Sequence, residues 1–149
     1  MMRKHDQLRD RRLSLGLGKC EVASYAGLTI HEYDDLETYE DELFTVVPVF
    51  KILKVCRLLK LDTTLLLGIE KSADGVQKGI IGQKMKERNI TIPVLSDMVG
   101  VAEQAIEDAI RDVGALGSWV IDPIFDLAKA LHISPGDILT YVASDFDDQ

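Results

Sequence analysis

Apolar residues recur along this chain at the spacing of helix faces rather than of strands. Leu8, Arg12 and Leu15 share one side of an opening helix whose other positions are mostly charged, and Gly16 stops it. Residues 19–25, "KCEVASY", form a short second helix. Val22 and Ala26 share its face, and Gly27 can take the left-handed conformation that closes a helix. A third helix opens at Thr29, where Glu32 three residues later completes a capping box, and Tyr33 with Leu36 gives the inward spacing. The run "VVPVFKILKVCRLLKL" then places Ile52, Leu53, Cys56 and Leu59 on one stripe. Asp62 is positioned to cap a short closing helix.

The pattern then repeats. "LRDRRLSLGLGKCEVASYAGLT" starts at Leu8 and "IGQKMKERNITIPVLSDMVGVA" starts at Ile81. In that alignment Leu17 falls on Ile90, Val22 on Leu95, Gly27 on Gly100, Leu28 on Val101 and Tyr33 on Ile106. Ile106, Ala109 and Ile110 supply the inward face of the second copy's third helix, without a capping threonine. "DPIFDLAKALHI" repeats the long stripe through Ile124, Phe125, Ala128 and Leu131, and Ser134-Pro135 opens the closing helix. The polar stretch "EKSADGVQK" around Asp74 and Gly75 reads as a linker. The expected organisation is therefore all-α: a first copy over residues 1–70, a linker at 71–78, and a second copy over 79–149 with an acidic C-terminal tail.

Short helices with the second and third joined by a glycine turn make a helix-turn-helix module. Both copies, through "LRDRRLSLGL" with "VASYAGLTIHEYDDLE" and "VLSDMVGVAEQAIEDAI" with "LAKALHISPGDIL", resemble the Xre-type, lambda-repressor-like and Cro-like helix-turn-helix domains. The resemblance spans roughly residues 5–68 and 79–141 and implies two tandem five-helix domains acting in transcription regulation. In such domains the third helix enters the major groove and the start of the second meets phosphate. Carried over, the reading positions are Ile30, His31, Asp34 and Asp35 after the capping Thr29, and Glu103, Gln104, Glu107 and Asp108 in the second copy. Lys19 and Ile92 occupy the phosphate position. Two tandem copies would imitate the two-fold pair that repressors make by dimerising, with half-sites about 34 Å apart; a homodimer of the whole chain is also compatible.

Charge changes this picture. "TIHEYDDLETYEDE", residues 29–42, holds seven carboxylates and neither lysine nor arginine, across the helix that should approach DNA. Residues 1–70 carry 10 basic and 12 acidic side chains and residues 71–149 carry 7 and 13, net −2 and −6, together the chain's −8. Nucleic-acid affinity rests largely on Lys and Arg displacing counterions from phosphate, so neither half is built for tight binding. A lone carboxylate can accept from cytosine, but it needs phosphate contacts beside it. Cations do gather on the first helix, where Arg3, Lys4, Arg9, Arg11 and Arg12 either clamp a nucleic-acid backbone or solvate the surface beside Asp6 and Asp10. Lys51, Lys54, Arg57 and Lys60 recur in the same way on the long stripe's helix.

Two readings of partner follow: DNA, or a protein with a basic surface met by the acidic helices. Little else in the sequence carries chemistry. Cys20 and Cys56 lack a CxxC pair, His5, His31 and His132 are scattered, and both thiols are expected to be buried. No nucleophile elbow or phosphate loop is present, so an enzyme, a metal or a cofactor is not expected. Trp119 reads as a core anchor. No apolar run approaches the ~20 residues of a membrane span, and no apolar segment follows "MMRKHDQLRDRR", which argues against a signal peptide and for the cytoplasm.

Overall fold

The computed structural model describes residues 3–39, 41–69, 76–77 and 79–147. Among these residues there are eleven α-helices, one 3-10 turn and no strand. The N-terminal half holds α1 (Lys4–Ser14), α2 (Lys19–Ala26), α3 (Ile30–Thr38), α4 (Glu42–Thr45), α5 (Val49–Leu59) and α6 (Thr63–Leu67). The C-terminal half holds α7 (Ile80–Arg88), α8 (Ile92–Val99), α9 (Glu103–Arg111), a 3-10 turn (Val113–Ser118), α10 (Ile121–Leu131) and α11 (Pro135–Asp147).

Helix bounds in the two halves correspond closely. Lys19 and Ala26 bound α2 as Ile92 and Val99 bound α8, and α3 and α9 each run nine residues from the matching start. Helices α5 and α10 each run eleven. The same local devices end them. Gly27 and Gly100 close α2 and α8 at φ 74° and 81°, and Lys60 and His132 close α5 and α10 at φ 57° and 56°. Only the glycines take that conformation without a Cβ penalty.

Helix α5 is buried on more than one stripe, through Val49, Ile52, Leu53, Val55, Cys56 and Leu59, because it packs on α2 on one side and on the other half of the chain on the other. Helix α10 is its counterpart, buried through Ile121, Ile124, Leu127, Ala128, Ala130 and Leu131 and packed on α8. Each fully buried Ile or Leu contributes about 1.5–3 kcal/mol relative to exposure. Contact between the halves runs from α4 to α10, from the 3-10 turn to α5, and from α11 to α5 and α6. Phe44 and Phe125 lie with ring centroids 6.1 Å apart, the Val49 amide donates to the Trp119 carbonyl at 2.7 Å, and Trp119 is buried there.

Several expectations need correction. Arg12 does not join a solvent-facing basic edge: it is buried, 8% exposed, against Glu37 at 7%. Cys20 is exposed and only Cys56 is buried, because Cys20 follows the first residue of α2 on the side away from Val22. The N-terminal half has a sixth element, the single turn α4, too short to show a period in the sequence. Its counterpart is the 3-10 turn. The closing helix of the C-terminal half is not short; α11 runs thirteen residues. Most of the expected linker, residues 71–75 and 78, and the end of the acidic tail, residues 148–149, lie outside the described residues.

Candidate nucleic-acid interface

The expected reading surface is built on two short helices and the turn between them. In the N-terminal half Gly27 reverses the chain after α2, with the Leu28 amide donating to the Ala23 carbonyl at 2.8 Å. Thr29 then caps α3 reciprocally: its hydroxyl accepts the Glu32 amide at 3.1 Å while Glu32 accepts the Thr29 amide at 2.8 Å. That second bond, more than anything else, holds the Glu32 carboxyl below its ordinary pKa. Tyr33, Leu36 and Glu37 turn inward and anchor the helix. What remains outward is Ile30, His31 and Glu32, with Asp34 and Asp35 half exposed.

Lys19, at the start of α2, is already engaged. Its ammonium donates to Asp34 Oδ1 at 2.5 Å, and this bond is the main reason that the Asp34 carboxyl sits below its ordinary value. The phosphate-meeting cation and the reading-helix carboxylate therefore neutralise one another. Lys51 does border the turn: a Cβ built on Gly27 would lie 4.0 Å from its Cε, and its ammonium lies 5.9 Å from the Phe50 ring centroid. Lys54 reaches the same ring at 6.0 Å.

The first helix offers less to a nucleic acid than its composition suggests. Arg9 pairs with Asp6 at 3.3 Å and Asp10 at 3.5 Å. Arg11 donates through Nε to the Leu59 carbonyl at 2.9 Å and ties α1 to the end of α5. Arg12 donates to both Glu37 oxygens and to the Leu17 carbonyl in the core. Glu37 is the residue that sequence reasoning misplaced among the surface acids. Its spacing from Tyr33, one turn earlier on the buried stripe, was the available signal.

In the C-terminal half α8 ends at Gly100 and the Ser96 hydroxyl donates to the Val101 carbonyl, tightening the turn. Helix α9 starts after Ala102 with no side-chain cap. Glu103, Gln104, Glu107 and Asp108 are all exposed on it, while Ile106 and Ala109 are buried. Gln104 donates to Asp108 at 3.0 Å, and Arg111 reaches Asp108 at 3.8 Å. At the flanking positions the cations are gone. The first residue of α8 is Ile92 where α2 has Lys19, and the third of α10 is Pro123 where α5 has Lys51.

With this geometry in place, comparison with known proteins is informative for one half. Residues 81–144 match the family model of the Cro/C1-type HTH DNA-binding domain. The matched Cro/C1-type segment runs from the second residue of α7 into α11 and contains the α8–α9 pair just described. No second copy of the Cro/C1-type domain is matched, and no curated protein and no solved structure matches the chain. Such a domain points to transcription regulation and to DNA as its partner. Among the described residues no group of three His, Cys, Asp or Glu could hold a metal, and no helix is long and apolar enough to cross a membrane.

Proposed function

We propose that this chain is a transcription regulator of the Xre type built from two helix-turn-helix modules, residues 1–70 and 79–149, whose direct contact with DNA is weak. The coincidence of helix bounds, glycine turns and left-handed closures in the two halves supports the two-module reading. One observation carries the weak-binding reading: where a cation should meet phosphate beside each reading helix, Lys19 is bound to Asp34 and its counterpart is Ile92. Of the three exposed carboxylates on α9, Asp108 meets Arg111 at 3.8 Å, and each uncompensated charge works against counterion release.

A second reading has its own support. Ile30 is 54% exposed at the start of α3 and Tyr39 is 55% exposed at its end, with Glu32, Asp34 and Asp35 between them. An apolar anchor at each end of an acidic helix suits a protein with a basic, partly apolar surface better than a phosphate backbone.

Anisotropy of a labelled duplex tests the weak-binding reading. Wild type should bind more weakly than the Asp34→Ser, Asp35→Arg variant, which removes two like charges and adds a phosphate partner. If wild type binds DNA at physiological salt and the replacement abolishes sequence preference, the carboxylates are base readers and the weak-binding reading is wrong.

A further inference from the structure

We infer that the chain is a self-contained pseudo-dimer: the α4–α5 face of the N-terminal half and the 3-10 turn–α10 face of the C-terminal half occupy one another, so a monomer presents two non-identical reading helices. This rests on the two-module reading above. Apart from the α5–α11 contact, which has no α10–α6 counterpart of similar extent, the contacts between the halves have the reciprocity of an isologous interface. Exchanging the halves converts α4 into the 3-10 turn and α5 into α10. The α4–α10 contact then becomes the contact of the 3-10 turn with α5, and both are present. The α6–α11 contact maps onto itself. A head-to-tail arrangement would show the α4–α10 contact without the contact of the 3-10 turn with α5.

Aromatic side chains fill the seam between the halves. Phe44 and Phe50 both belong to the N-terminal half, and Phe44 meets Phe125 across the interface. Gly117, in the 3-10 turn, lies against Phe50: a Cβ there would already be in van der Waals contact, 3.6 Å from Phe50 Cβ and 3.5 Å from Val142 Cγ1, so a larger side chain would press on both. The short connection between Leu67 and Ile80 keeps the two halves of one chain at an effective concentration on the order of millimolar, which favours their pairing over pairing between chains.

The consequence is functional. A homodimer would present the same side chains twice, whereas here one site carries Ile30, His31, Asp34 and Asp35 and the other Glu103, Gln104, Glu107 and Asp108. The pair is suited to an asymmetric target rather than to a palindrome.

Light scattering on the full chain over a wide concentration range should give the monomer mass, 16.6 kDa, throughout. Hydrogen exchange then locates the interface. The Val49 amide, bonded to Trp119 across the halves, should be protected in wild type, as should the Leu28 amide, bonded to Ala23 within one half. Gly117→Leu should speed Val49 exchange at least tenfold and leave Leu28 unchanged; if that variant does not fold, Phe44→Ala is read in the same way. A mass that doubles with concentration, or Val49 exchange indifferent to a folded interface variant, overturns the proposal. Neither measurement uses DNA, so tight duplex binding would sink the weak-binding reading and leave this one standing.

Discussion

Arg12 and Glu37 form a two-pronged ion pair in the core of the N-terminal half, with Nε donating to one carboxylate oxygen at 2.7 Å and Nη2 to the other at 3.0 Å. Tyr33 lies beside them, its phenol held far above its ordinary pKa by burial first and by the Glu37 carboxylate next. The Arg12 guanidinium is in turn held above its ordinary value, chiefly by its hydrogen bond to Glu37. The corresponding C-terminal positions are Met85, Ile110 and Ile106, all apolar. The same packing problem has therefore been solved once with charge and once without.

Removing one member of the pair strands the other in the core. Arg12→Ala or Glu37→Ala should each cost about 3–5 kcal/mol in denaturant unfolding. The paired replacement Arg12→Met with Glu37→Ile, which copies the other half, should cost far less or stabilise. Single variants that lose under about 1 kcal/mol would place the pair in the class of solvated surface bridges.

Leu36 is fully buried on α3 together with Tyr33, in the same core as Val22 and Leu53. Leu36→Ala should lower stability by about 2–5 kcal/mol, as large-to-small core changes do. An unchanged melting temperature would contradict the inward phase of α3.

The capping box at the head of α3 predicts a smaller, local effect. Thr29→Ala removes the acceptor for the Glu32 amide and should cost about 0.5–2 kcal/mol. Ser in its place should restore most of the loss, since the hydroxyl rather than the methyl group does the capping. Equal losses for Ala and Ser would point to packing instead.

Asp34 should titrate below the usual aspartate range, because its ionised form accepts from Lys19. The folded-state pKa is lowered, so the contribution of this pair is present at neutral pH and is lost as pH falls through that lowered value. Carboxylate chemical shifts followed by NMR should show this, and Lys19→Met should move the midpoint back up. A midpoint that ignores Lys19→Met would mean that the pair does not persist in solution.

The two thiols should differ sharply. Cys20 is exposed, whereas burial pushes the Cys56 thiol up to about 11 and keeps it protonated at neutral pH. A thiol reagent on native protein should label one cysteine, and both after unfolding. Because the folded pKa of Cys56 is raised, its contribution is complete at neutral pH and fades as pH rises toward that value. Two rapid labelling equivalents in the native state would place Cys56 at the surface.

What the sequence determined by itself is the local half of this protein. Helical spacing located the main helices, Thr29 with Glu32 and Asp62 identified caps, and Gly27 and Gly100 identified turns, because each of these devices works between residues one helical turn apart. Residues 79–141 likewise resemble a helix-turn-helix domain through their own pattern, and the family match falls on 81–144. Tertiary structure alone decided the rest. Arg12 and Glu37 are 25 positions apart, so neither could announce the other, and an arginine on an apolar face looked like one more surface cation. Lys19 and Asp34 are 15 apart, and only the fold of α2 against α3 turns a candidate phosphate contact into an internal pair. The meeting of Phe44 with Phe125 and of Phe50 with Gly117 spans the two halves. Their adjacency arises from how two amphipathic faces bury one another, and no local period encodes it.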